Sequence, residues 1–118
     1  MDLCEQHCQQ EIPATLLSDI QIKQFLTEIP GWKILVKENN NKYLTRSVKF
    51  KNYEQTLKFI NTIAKIIQAE DHHPDICFGY NQCEIAFMTH SAGGITTYDF
   101  ICAAHIEKII SQQTSINE

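Results

Sequence analysis

The chain has 118 residues, of which 43% are hydrophobic and 20% charged, enough apolar material for a single core and not the composition of a disordered chain. Ten Lys and Arg against 14 Asp and Glu leave a formal net charge of −4, which argues against a protein that coats nucleic acid through charge and favours a small or neutral ligand. No apolar run approaches the ~20 residues of a bilayer span, Met1–Gln10 is too polar for a signal peptide, and the odd set Cys4, Cys8, Cys77, Cys83 and Cys102 fits reduced thiols in the cytoplasm better than a disulfide framework.

Residues 1–17 carry Pro13 and no clean period, and read as a loose leader pinned by Ile12 and Leu16–Leu17. Ser18 has the character of an N-cap for a helix over Asp19–Glu28, with Ile20, Phe25 and Leu26 as its apolar residues and Pro30-Gly31 as its stop. Trp32–Val36 and Tyr43–Phe50 are rich in large and branched residues around the turn-forming Asn39-Asn40-Asn41, which predicts a β-hairpin. Tyr53, Leu57, Ile60, Ala64 and Ile67 recur at helical spacing, and His72-His73-Pro74 ends that helix because the residue before proline is pushed toward extended geometry. Ile76, Phe78 and Tyr80 alternate, Asn81-Gln82 suits a tight turn, and Cys83, Ile85 and Phe87 alternate in a strand running to His90, giving a second hairpin. After Gly93-Gly94, Thr96 and Asp99 form a capping box of the Asp type for a helix carrying Cys102, Ala103, Ile106, Ile109 and Ile110, beyond which the tail should fray.

The expected domain map is a leader over 1–17, one domain over 18–111 and a frayed tail over 112–118. The order α-β-β-α-β-β-α is an α+β fold, a four-stranded antiparallel sheet with two to three helices packed on one face. Ala86 and Met88 on the second face are apolar enough to favour a partner there, and a homo-oligomer would supply one.

His72, His73 and His90 sit at element ends. If the last two strands form a hairpin, the start of one lies beside the end of the other, and all three imidazoles fall at one edge of the sheet. Such a cluster suits proton transfer to and from a bound small molecule near neutral pH. The plain alternative is a helix-ending His pair and an unrelated surface His. A metal is the rival use, but adjacent His72 and His73 tend to point apart in extended chain and no His-x3-His pair is present. Cys4, His7 and Cys8 are one ligand short of a four-donor site and read as coincidence. Gly93-Gly94 lacks the Lys-Ser/Thr of a phosphate loop, and Asp99 can orient a histidine as well as cap its helix. Lys33, Lys37, Lys42, Arg46, Lys49, Lys51, Lys58 and Lys65 face only Glu38 and Glu54, but they are spread over more than one surface, so a solvated face is the default and nucleic acid is an unlikely partner.

Ala69-Glu70-Asp71-His72-His73-Pro74, Tyr80-Asn81 and Thr89-His90-Ser91-Ala92-Gly93-Gly94-Ile95-Thr96, followed by Asp99 and preceded by Pro30-Gly31-Trp32, resemble the signature of the pterin-4a-carbinolamine dehydratase family from about Leu16 to Ile110. The Cys-rich leader is similar to the N-termini of bacterial members. The resemblance implies a four-stranded antiparallel sheet assembled into homodimers or homotetramers. It also implies dehydration of 4a-hydroxytetrahydropterin, left by an aromatic amino acid hydroxylase, to quinonoid dihydropterin without a metal or organic cofactor. By the same resemblance His72 and His90 are general acids for the departing C4a hydroxyl, and His73 holds the pterin and helps remove the N5 proton. Thr89, Ser91, Asp99 and Pro74 complete the pocket.

Two departures stand out. Gln68 occupies a position where many members have Glu, which would move any charge tuning of the histidines to Glu70 or Asp71. Ile76 and Phe78 stand where relatives often have a bulky aromatic and an Asn, so substrate shape or rate is expected to differ. Some members also serve as dimerisation partners of transcription factors, which makes an interaction protein the alternative from a different class.

Overall fold

A computed structural model describes residues 3–8 and 14–113, and the backbone of 116–117. Ser18 caps α1 (Asp19–Leu26) reciprocally: its hydroxyl accepts from the Gln21 N–H at 3.2 Å, and the Gln21 side chain accepts from the Ser18 N–H at 2.9 Å. β1 (Lys33–Val36) and β2 (Lys42–Phe50) form the first hairpin, with Asn40 left-handed in its turn at φ 66°. Asn52 caps α2 (Tyr53–Glu70), which Asp71 ends in left-handed geometry at φ 51°. β3 (Asp75–Phe78) and β4 (Gln82–Phe87) form the second hairpin, and α3 (Thr97–Gln112) follows.

The ladder order is β1-β2-β4-β3, antiparallel throughout, so the chain has the expected four-stranded sheet and three helices in α-β-β-α-β-β-α order. Pleating divides the sheet. Leu44, Val48, Phe50, Cys83, Ile85 and Phe87 are buried in one core with Phe59, Ile63, Phe100 and Ile106 of the helices. Thr45, Ser47, Glu84 and Ala86 line a groove on the opposite face together with Leu35 and Tyr43. Arg46 points inward: its side chain is 11% exposed and its Nε donates to Glu107 at 3.1 Å, beside the Trp32 indole N–H at 2.8 Å from the same carboxylate. One of the eight basic residues is therefore bound within the fold and not part of a solvated face.

The buried stripe of α2 is Thr56, Phe59, Ile63, Ile67 and Glu70, rotated from the expected one, of which only Ile67 belongs to both. Tyr53 is 45% exposed. Counting apolar residues alone misplaces the face because its two ends are polar and satisfied. The Thr56 hydroxyl reaches the Asn52 and Tyr80 carbonyls at 2.9 and 3.0 Å, and Glu70 accepts the Cys8 N–H at 2.6 Å. In α1 it is Ile22 that is buried, while Ile20 is 72% exposed. Met88 is buried too: β4 stops at Phe87, so strand alternation no longer directs it to the second face.

Both chain ends also depart from expectation. Leu3–Glu5 forms a 3-10 turn with Leu3 buried, and the Leu3 N–H donates to Glu28 at 3.1 Å, so the leader is docked over 3–8. Leu17 is tied by its N–H to the Ile95 carbonyl at 2.9 Å, and Ile12 lies outside the described residues. At the other end, Ile116–Asn117 forms β5 on β2, opposite Phe50 and Lys49. β1 begins opposite Thr45, which leaves the end of β2 with an open edge for the tail to cover.

The corrected stripe has a direct consequence. Phe59→Ala should destabilise the chain by about 3–5 kcal/mol in urea unfolding, whereas Tyr53→Ala should cost under about 1 kcal/mol; the reverse ranking would return the buried face to the apolar series.

Candidate active site

Asp75 opposes Ala86 at the last rung of the β3–β4 ladder. Residues 72–74 running into β3 and 88–90 leaving β4 therefore emerge at one end of the sheet, as antiparallel pairing requires. His72 lies there against the core, its side chain 12% exposed. Its ring stacks on Phe87 with centroids 5.9 Å apart at 7°, and meets Tyr98 edge-on at 6.1 Å. Its Nε2 is 2.6 Å from Oδ1 of Asp99, which is wholly buried in the first turn of α3.

The second oxygen of Asp99 accepts from the Thr96 N–H at 2.8 Å and from the Thr89 hydroxyl at 2.9 Å. Thr89 Oγ1 is also 2.8 Å from Thr96 Oγ1. A hydroxyl has one proton, and Thr89 gives its own to Asp99, so Thr96 is the donor of that bond. Asp99 thus accepts from both threonine-bearing segments, and the remaining donor it faces is His72. The carboxylate has no proton to offer, which assigns Nε2–H to the imidazole and leaves Nδ1 as the nitrogen for proton exchange. A carboxylate behind an imidazole fixes the tautomer and stabilises the protonated ring.

The loop carrying the third histidine is built from Thr89. Its N–H donates to the Gly94 carbonyl at 2.8 Å, and its own carbonyl accepts from Ala92 and Gly93 around the 3-10 turn His90–Ala92. Gly93 closes the turn at φ 75°, where a side chain is disfavoured. Gly94 packs on Leu16, whose Cδ1 would lie 2.8 Å from an added Cβ.

Of the predicted residues, direct hydrogen bonds unite His72, Thr89 and Asp99. His73, His90 and Ser91 are exposed on the flanking segments, and Pro74 is half-buried between His73 and β3. Asp99 serves both weighed purposes, since it receives the Thr96 N–H of the cap and holds His72. Glu70, one of the two residues to which the Gln68 departure would move charge tuning of the histidines, instead meets His7 at 2.6 Å. Phe87 and Tyr98, the walls of the His72 ring, were not singled out. Strand alternation marks Phe87 as inward-facing, but only the packing of α3 on β4 shows what it faces.

The inner thiols are held neutral. Burial, with Cys77 and Glu84 nearby, pushes Cys83 up to about 11, and the hydrogen bond with Cys8, then burial, pushes Cys102 up as well. Neither is a nucleophile near neutral pH. Cys4, Cys8, Cys77, Cys83 and Cys102 are not joined in disulfides. Among the described residues no helix is long and apolar enough to cross a membrane. Metal-type donors gather at His7, Glu70 and His105 and not at the three predicted histidines.

The family model for pterin 4 alpha carbinolamine dehydratase matches residues 15–109. A Xylella fastidiosa (strain M23) protein is 40% identical over 93% of this chain and 93% of its own length. One from Legionella pneumophila (strain Corby) is 42% identical over 92% of this chain and 96% of its own. Both carry the provisional name pterin-4-alpha-carbinolamine dehydratase. Among solved structures, a transcriptional coactivator/pterin dehydratase from Brucella melitensis is similar with a TM-score of 0.70 and 29% identity, covering 79% of this chain and 96% of that one.

The Asp99 network predicts that Asp99→Asn, which turns an NH2 toward one of its donors, destabilises the chain by about 1–3 kcal/mol and removes the downfield His72 Nε2–H resonance in NMR. Unchanged stability together with an unchanged His72 tautomer would contradict the assignment.

Proposed function

The chain belongs to the pterin 4 alpha carbinolamine dehydratase family, and on that basis we propose that it is a hydro-lyase converting 4a-hydroxytetrahydropterin to quinonoid dihydropterin and water, after an aromatic amino acid hydroxylase has used the pterin. In the reaction the C4a–O bond breaks with its electron pair leaving on oxygen. The N5–H pair becomes the new C4a=N5 bond, and the N5 proton passes to a base. Hydroxide is a poor leaving group, so an acid at the C4a oxygen and a base at N5 must stand at neighbouring atoms.

The observation that carries this reading is the His72–Asp99 pair at 2.6 Å, an imidazole with a fixed tautomer at the sheet end that also carries His73 and His90. In the proposed mechanism His72, through Nδ1, and His90 are the acids approaching the C4a hydroxyl from different sides. His73 holds the pterin and assists removal of the N5 proton. Thr89, Ser91, Asp99 and Pro74 frame the pocket. No metal or organic cofactor enters any step.

The reading extends to the setting of the enzyme. Five cysteines outside any disulfide suit the cytoplasm. Assembly into a homodimer or homotetramer is supported by the exposed Tyr53 and Phe78, 45% and 43% exposed, which pair at 6.4 Å between ring centroids on the surface.

A second reading, an interaction protein with weak or no catalysis, draws on the double name of the Brucella protein and on the second sheet face, where Leu35, Tyr43 and Ala86 are uncovered or half-covered. The two separate in one assay. The purified chain should accelerate carbinolamine breakdown, and His73→Ala and His90→Ala should each lower that rate by ~10²–10⁴-fold with circular dichroism and solution mass unchanged. A wild-type rate no faster than spontaneous breakdown would transfer the conclusion to the binding reading.

A further inference from the structure

The end of α2 carries a second cluster that the proposed reaction does not use. Glu70, the last residue of that helix, is only 6% exposed. One of its oxygens accepts the Cys8 N–H at 2.6 Å, and the other lies 2.6 Å from His7 Nδ1. His105, on α3, stacks on His7 with centroids 5.2 Å apart. One donor atom each from His7, Glu70 and His105 lies within 4.8 Å of the other two.

We propose that His7, Glu70 and His105 form a site for one divalent transition-metal ion of the zinc type, fastening the docked leader to the end of α2 and to α3. The proposal stands whether or not the chain is a dehydratase. Two imidazole nitrogens and one carboxylate oxygen suit zinc or cobalt, and are a poor set for magnesium or calcium, which prefer oxygen donors throughout.

The surroundings of the donors carry the argument further than their proximity. His105 Nε2 is 2.7 Å from the Gln6 carbonyl, which can only accept, so Nε2 bears a proton and, in the neutral imidazole, Nδ1 is the nitrogen with the lone pair. An imidazole whose other nitrogen donates to a backbone carbonyl has the arrangement that orients metal-bound histidine. Glu70 is held in the same way, by the Cys8 N–H on one oxygen. Two ligands are thus fixed on helices. The third, His7, has a side chain 69% exposed and room to move. It needs that room, because two donors at ~2.0–2.1 Å from a tetrahedral ion stand ~3.3 Å apart, further than a shared proton keeps them. Water takes the fourth position.

Position in the helix adds a reason for a cation. A helix C-terminus bears partial negative charge, and the last turn of α2, Ile67-Gln68-Ala69-Glu70, has no basic residue, so a carboxylate there is disfavoured unless positive charge is brought to it. His7 supplies that charge only when protonated. A metal ion supplies it at any pH where the imidazoles are neutral.

The test is titration of the chelator-stripped full chain with Zn2+ and with Co2+, followed by calorimetry and absorption. One ion per chain is expected, with visible tetrahedral Co2+ bands, without the intense near-ultraviolet bands of thiolate ligation, and with a melting temperature that rises with Zn2+ concentration. His7→Ala, at an exposed position where the fold should survive, and His105→Ala should each weaken binding by more than about tenfold, and Cys8→Ser should leave the stoichiometry intact. Absence of stoichiometric binding, binding indifferent to both histidine variants, or strong thiolate bands abolished in Cys8→Ser would each overturn the proposal.

Discussion

The structure around the site depends on one buried carboxylate. Asp99 has no exposure to water, and an isolated ionised group in that position would be prohibitively costly. It is tolerated because three separate pieces of chain bring it donors: Thr96 at the start of α3, Thr89 leaving β4 and His72 approaching β3. The β3–β4 ladder and the bonds of Thr89 to Gly94 and Thr96 also join these pieces, and the need to satisfy Asp99 adds His72 to the same constraint. The location helps, since the first turn of α3 carries unpaired N–H groups and favours negative charge.

The sheet makes this convergence possible. A hairpin places the beginning of its first strand next to the end of its second, and β3 and β4 are the strands that follow His73 and precede His90. The stacking of His72 on Phe87 is a further product of the register, because Phe87 belongs to the same inward row as Cys83 and Ile85. Histidine orientation at the site therefore follows from strand parity on one side of the ring and from helix capping on the other. The same parity turns Arg46 inward to Glu107, where the Trp32 indole also binds, and so anchors the middle of β2 to α3.

Much of this was legible in the chain itself. The two hairpins, the three helices and the Thr96–Asp99 cap follow from periodicity and turn chemistry, signals that lie within a few residues of one another. The buried stripe of α2 was not legible, because Thr56 and Glu70 owe their burial to Tyr80 and Cys8, partners that only the folded chain brings near. The docking of Leu3 and the pairing of Ile116–Asn117 with β2 escaped for the same reason. Sequence placed His72, His73 and His90 at one end of the sheet and offered Asp99 as a residue able to orient a histidine, but did not show that His72 is the one drawn into the core while the other two stay exposed.

Glu70 and Asp99 show one device used at opposite electrostatic ends. Each is a buried carboxylate at a helix terminus, and each is met by a backbone N–H and an imidazole. Asp99 sits where the helix dipole assists it, and two threonines complete its shell. Glu70 sits where the dipole opposes it. Burial alone would raise its carboxyl, yet the hydrogen bonds from His7 and the Cys8 N–H, with the charges of His7 and His105, outweigh that and hold it below the usual carboxylate range. Its environment is therefore assembled to favour the anion despite the helix end, and the positive charge that does so comes from outside α2, on the leader and on α3. A segment without helical period, Leu3–Cys8, thereby acquires a defined place in the fold, and Asp71, the single residue between Glu70 and His72, links that place to the candidate active site.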